Sequence, residues 1–164
     1  MSDRDVAFEA YFTARSDAMR GTAYLLCGDW HRAEDLVQQT FTKLYRVWRR
    51  IQRHDALDGY TRQTLVRTFL SERRRGWFKY ESVGSALTDR AAPSSGLADE
   101  RLVLLEALAK VPPRQRAVLV LRYWEDASVE QTAAMLECSA GTVKSQAARG
   151  LATLRGLLEE ERVR

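Results

Sequence analysis

Lys144 and Arg149 stand in residues 140–151 (AGTVKSQAARGL), a stretch that opens on small and polar residues and continues with apolar positions at helical spacing. Cationic side chains on such a helix can donate to guanine edges or to phosphate oxygens. Residues 128–136 (SVEQTAAML) carry a shorter helical pattern just before it, and 137–139 (ECS) a tight polar turn. Helix, turn and second helix form the arrangement that lays a helix N-terminus in the DNA major groove. Ala133, Met135, Leu136, Val143, Ala147, Leu151 and Leu154 take the packed side, leaving Thr142, Lys144, Ser145, Ala148 and Arg149 near the exposed one. Ser139 is a natural cap for the second helix, whose N-terminus can meet a backbone phosphate. A structural hairpin with scattered solvated charges would use the same residue types, but capping and periodicity both fit the DNA reading.

A second group lies mid-chain. Arg62, Arg67, Arg73, Arg74, Arg75 and Lys79 are interleaved with Tyr60, Phe69, Trp77, Phe78 and Tyr80. Guanidinium groups can track phosphates while aromatic faces stack on unpaired bases, at about 1–3 kcal/mol each. The mixture suits single-stranded or distorted DNA better than an undisturbed duplex. Some of these aromatics must be core, Tyr60 and Phe69 foremost. A third group, Asp35, Gln38, Gln39, Thr42 and Arg46, forms the outer face of another amphipathic segment. Polar amides on adjacent turns suit docking onto a helix or coiled coil, although plain solvation explains them on physical grounds alone. Catalysis finds no support: there is no Gly-rich phosphate loop and no nucleophile elbow. His31 and His54 sit among polar and charged neighbours, and Cys27 and Cys138 have no zinc-like spacing. No enzyme activity, metal or cofactor is expected.

The elements that must position these groups are all helical. Ser2 or Asp3 caps a first helix that runs to about Cys27, where Gly28 provides a left-handed stop. Asp29 caps a second, with an apolar stripe at Ala33, Leu36, Val37, Phe41, Leu44, Tyr45, Trp48 and Ile51. A third starts around Asp58 and runs through Leu65, Val66, Phe69 and Leu70 into Arg73, Arg74 and Arg75. In residues 81–98, eleven of eighteen are Gly, Ala, Ser or Pro, which marks a linker. Helices over about 99–110 and 114–124 follow, the first ended by Pro112 and Pro113. Ser128 caps the next, with Gln131 completing a capping box, and the last helix ends near Glu159. The expectation is an all-α chain: a helical bundle over 1–80, a flexible linker over 81–98, and a second helical domain over 99–164.

Charge sharpens that division. The 164 residues carry a net charge of only +4. Residues 1–42 hold four arginines against seven acidic residues, whereas 43–80 hold eleven basic residues against three acidic. A basic block behind an acidic one indicates a polyanion footprint in mid-chain, with a solvated arginine-rich face as the alternative. No apolar run is long enough to span a bilayer. With two isolated cysteines and no signal-like leader, the chain suits a reducing cytoplasm.

The combined pattern resembles a known family. Residues 33–41 (AEDLVQQTF) look like the core-polymerase-binding helix of bacterial RNA polymerase sigma factors. Asp126, Ala127, Ser128, Ala133, Leu136 and residues 141–145 (GTVKS) look like their fourth conserved region, and residues 99–122, with Leu108, Pro112 and Arg116, like the helices before it. The short length resembles the two-domain extracytoplasmic function group. The resemblance implies region 2 over 1–80 and region 4 over 99–164. It implies that Asp35, Gln38, Gln39, Thr42 and Tyr45 grip core polymerase. It implies that Tyr60, Arg62, Arg67, Arg73, Arg74 and Arg75 serve opening of the minus-ten element. It implies that Ser139, Thr142, Lys144, Ser145, Ala148 and Arg149 read the minus-thirty-five element. Many relatives carry Asn where this chain has Arg67, and some a bulky residue in place of Ala148. The implied partners are core RNA polymerase, promoter DNA and an anti-sigma protein, with no membrane insertion. An extended linker of this length spans roughly 60 Å, against roughly 50–70 Å between such promoter elements. Two rivals remain at this point: a helix-turn-helix regulator that binds duplex without polymerase, and a nucleic-acid-modifying enzyme.

Overall fold

The computed structural model describes residues 1–51, 54–80 and 96–163, and these are helical without a strand. They form two compact units, Met1–Ser71 and Glu72–Arg164. Most of the expected linker, residues 81–95, lies outside the described residues.

In the first unit, α1 (Asp3–Cys27) begins on a capping box and ends on Gly28 at φ 77°. Ser2 Oγ accepts from Asp5 N, and the Asp5 carboxylate answers from the other side. Asp29 caps α2 (Trp30–Val47) by accepting from His31 N at 2.9 Å. α2 stops earlier than its apolar stripe predicts: Trp48–Arg50 is a single 3-10 turn, which still buries Trp48. Another short turn, His54–Ala56, leads into α3 (Leu57–Tyr80), whose residues from Glu72 onward count with the second unit. Leu26, Leu36, Leu44, Leu65, Val66 and Phe69 are fully buried between the helices, each such side chain contributing about 1.5–3 kcal/mol. Phe8 and Phe12 of α1 meet Phe41 of α2 edge-on, with centroids 6.2 and 4.8 Å apart. The buried hydroxyls of Thr40 and Thr61 donate to the carbonyls of Leu36 and Leu57, so both are satisfied within their own helices. Polar ties fix α3 to its neighbours. The Tyr11 hydroxyl lies 2.8 Å from Asp58 and 2.9 Å from Thr61, Arg15 pairs with Asp58 at 2.9 Å, and Lys43 donates to Thr68 at 3.0 Å.

The second unit holds α4 (Gly96–Lys110), α5 (Pro113–Leu119), α6 (Val129–Leu136) and α7 (Ala140–Val163). α4 therefore begins three residues before the expected 99, and α7 runs past the expected Glu159. The single helix expected over 114–124 is instead α5 followed by a π turn, Val120–Trp124. Val111, Val118, Leu121 and Val143 form the centre of the core. Arg116 is only 4% exposed and holds the bend after α4: its guanidinium donates to the carbonyls of Ala109 at 2.8 Å and Val111 at 2.6 and 3.2 Å. α5 and α7 cross closely at Gly150, where a Cβ would stand 3.1 Å from Leu119.

Candidate nucleic-acid and docking interfaces

The helix-turn-helix is built by caps at both of its helices. Ser128 Oγ accepts from Gln131 N at 3.0 Å, and Ser128 N donates to Gln131 Oε1 at 2.8 Å. α6 ends at Glu137, which takes a left-handed φ of 53°. Arg114 donates to the Leu136 carbonyl at 3.3 Å and so ties this end to α5. Ser139 Oγ accepts from Thr142 N at 3.0 Å and lies 2.9 Å from Thr142 Oγ1, which caps α7. Val143, Ala147 and Gly150 point inward. Leu151 and Leu154, expected in the core, are half-buried. Lys144, Ser145, Ala148 and Arg149 are all exposed, a three- and four-residue spacing that gathers them on one face. Ser139 is exposed and Thr142 half-buried at the head of that face. This is a capped helix N-terminus with two cations along its open side, able to engage phosphates and base edges.

On α3 the six expected residues divide. Tyr60 is 41% exposed, contrary to its expected burial, while Phe69 is buried as expected. The physical reason is register. Steps of three and four from Tyr60 lead to Thr64, Arg67 and Arg74, a stripe opposite Leu65, Phe69 and Thr61. Arg67 is held on this stripe: with the Gln63 amide oxygen turned toward it, both terminal nitrogens donate at 3.0 and 3.2 Å. Arg62 and Arg73 follow a different row, in step with Val66 and Phe69; they and Arg67 are half-buried, while Tyr60 and Arg74 are exposed. The helix therefore does not bring all six together. The side chain of Arg75, like those of Trp77, Phe78, Lys79 and Tyr80, lies outside the described residues.

On α2, Asp35, Gln38, Gln39, Thr42 and Tyr45 are all exposed and lie along one side, opposite Leu36, Val37, Phe41 and Leu44. Thr42 donates to the Gln38 carbonyl at 2.8 Å, which leaves its oxygen free to accept only. Tyr45, expected in the apolar stripe, instead lies outside the core at 51% exposure, and its hydroxyl donates to Asp5 Oδ1 at 2.8 Å. That hydrogen bond, followed by the Asp5 charge, pushes the Tyr45 phenol up. The same bond, with further help from Ser2, holds the Asp5 carboxyl below the usual carboxylate range. Burial pushes the Tyr11 phenol up to about 12, with Thr61 acting against it and Asp58 adding to it.

Sequence reasoning missed the contributions of Asp5, Gln63, Arg114 and Asp58. Asp5 alone carried a signal, as an acidic residue at the fourth position of a capping box. Exposed Tyr123 and Trp124 at the end of the π turn also went unmarked. Among the described residues, no group of three His, Cys, Asp or Glu side chains is arranged to hold a metal, and no helix is long and apolar enough to cross a membrane.

Comparison with known proteins identifies the family. Residues 11–79 match the family model for sigma-70 region 2, and residues 101–154 that for sigma-70 region 4. The chain is 36% identical over 154 residues to the RNA polymerase sigma-E factor of Streptomyces coelicolor, which covers 90% of this chain and 84% of that protein. It is 30% identical over 151 residues to the ECF RNA polymerase sigma factor SigL of Mycobacterium tuberculosis, covering 84% and 81% of the two chains. Among solved structures, the sigma factor RpoE of Bartonella quintana, in complex with the anti-sigma factor NepR, aligns with a TM-score of 0.70 at 28% identity, over 93% of this chain and 97% of that one. CnrH, in complex with the cytosolic domain of CnrY, shares the fold at a TM-score of 0.67 and 19% identity, over 95% of this chain and 90% of that one. With both conserved regions in order and relatives matched along most of their length, the chain belongs to the RNA polymerase sigma factors of the sigma-70 family, in the ECF group.

Proposed function

We propose that this sigma factor, which confers promoter-specific initiation on RNA polymerase, divides that work between its two ends. Residues 1–80 dock on core enzyme through Asp35, Gln38, Gln39, Thr42 and Tyr45. They open the minus-ten element along α3, with Tyr60, Arg67 and Arg74 as the outward contacts and Arg62, Arg73 and Arg75 in support. Residues 99–164 read the minus-thirty-five duplex through Ser139, Thr142, Lys144, Ser145, Ala148 and Arg149, and residues 81–98 tether the two. Strand opening needs no catalytic group, since captured unpaired bases offset the unstacking cost. Sigma factors are initiation factors rather than enzymes, which removes the modifying-enzyme reading. The chain acts in the cytoplasm and is restrained by an anti-sigma protein; a complex of that kind is the form in which the related RpoE was solved.

The observation that carries the reading is the exposed face of α7, where Lys144, Ser145, Ala148 and Arg149 line up behind the Ser139 cap. Lys144→Ala and Arg149→Ala should each weaken binding to a minus-thirty-five duplex by about 1–3 kcal/mol where a base edge is read, while core polymerase is still retained in a pull-down. Gln38→Ala with Gln39→Ala should do the reverse. Equal loss of both partners in either variant contradicts the division. Tight, specific duplex binding by the free chain, unchanged by polymerase, would support the regulator reading instead.

A further inference from the structure

Asp5 joins two features that are far apart in sequence. Its Oδ2 accepts from Ser2 Oγ at 2.9 Å and from Ser2 N at 3.3 Å, closing the box that caps α1. Its Oδ1 accepts from the hydroxyl of Tyr45, forty residues on. The Tyr45 ring also stands edge-on to Phe8, with centroids 5.0 Å apart, and Phe8 in turn meets Trp48 at 5.3 Å. A half-exposed tyrosine on a helix surface ordinarily exchanges rotamers. Here a ring contact on its flank and a carboxylate at its tip fix both torsions.

We propose that Asp5 is a positioning residue for core-polymerase docking: its hydrogen bond holds the Tyr45 side chain in a single orientation on the outer face of α2, ready to meet the partner. The inference rests on the reading of that face as the docking surface. A side chain already ordered loses less freedom on association, an advantage of roughly two- to tenfold in affinity. A carboxylate that served only to cap α1 would have no need of the tyrosine.

The test is the affinity of the full chain for core RNA polymerase, measured alongside the melting temperature. Asp5→Ala and Tyr45→Phe should each weaken binding roughly two- to tenfold. The double variant should bind no worse than the weaker single one, as expected for two ends of one bond. Ser2→Ala, which damages the cap and spares the Tyr45 contact, should lower the melting temperature and bind as the unaltered chain does. Equal loss of affinity in Ser2→Ala, or additive losses in the double variant, overturns the proposal. So does unchanged binding by Asp5→Ala while Gln38→Ala with Gln39→Ala binds poorly, a result that leaves the docking surface standing. Unchanged binding by the Gln38 and Gln39 variant removes the docking surface itself and the proposal with it.

Discussion

Arg116 shows how much a single side chain can decide in a small helical unit. Its guanidinium is buried and donates to the carbonyls of Ala109 and Val111, at the bend where Pro112 and Pro113 interrupt the helices. The Ala109 carbonyl has no helical donor because Pro113 carries no N–H, and Val111 is fully buried. Arg116→Met keeps much of the volume and removes the donors, so it should cost about 2–4 kcal/mol of stability in denaturant unfolding; a loss below about 0.5 kcal/mol would contradict this role. Nothing local in the sequence announces such a residue. An arginine reads as solvent-facing until the chain folds a set of carbonyls around it. Tyr60 errs in the other direction. Its aromatic type suggested core, yet its register places it with Arg67 and Arg74, and register rather than residue type settles which side a helical position faces. Phe69 was legible because type and register agree.

Helices were the most legible level. The caps at Ser2, Asp29 and Ser128 and the stop at Gly28 are local devices, written in residues within one turn of the helix end, and each forms as its residues predict. The early end of α2 at Val47 and the π turn at Val120–Trp124 were not legible, because apolar spacing continues through both and carries no mark of a change in hydrogen-bond step. Glu125 N reaches the Val120 carbonyl at 3.0 Å and Ala127 N that of Leu121 at 2.9 Å, while Arg122 closes on Ala127 O at 2.6 Å. The α5–α7 crossing offers a paired test. A side chain at Gly150 would press on buried Leu119, so Gly150→Val should lose about 1–3 kcal/mol to overpacking. Gly156 lies on the same helix with open space at its Cβ position. Gly156→Ala should therefore gain about 0.5–1 kcal/mol from helix propensity alone. Urea midpoints that move in the same direction for both variants would contradict the close crossing.

At the scale of the molecule, two short patterns carried most of the information: residues 33–41 on α2, and the run from 126 to 145 across the helix-turn-helix. Both present their polar residues on exposed faces, which is why a sequence reading could find them. The sides of α3 were less legible, because a row of arginines on one helix says nothing of which side each takes. The residues of 81–95 lie outside the described structure, so the reach of the tether enters only through its length and composition. If these surfaces act together, core RNA polymerase starts at defined promoters only when this chain is bound. Run-off transcription with sigma-free core enzyme on genomic fragments tests it most directly. Discrete transcripts should appear only when this chain is added and should fade with Lys144→Ala and Arg149→Ala. Transcripts no different from those of core enzyme alone, on every fragment tried, would contradict it.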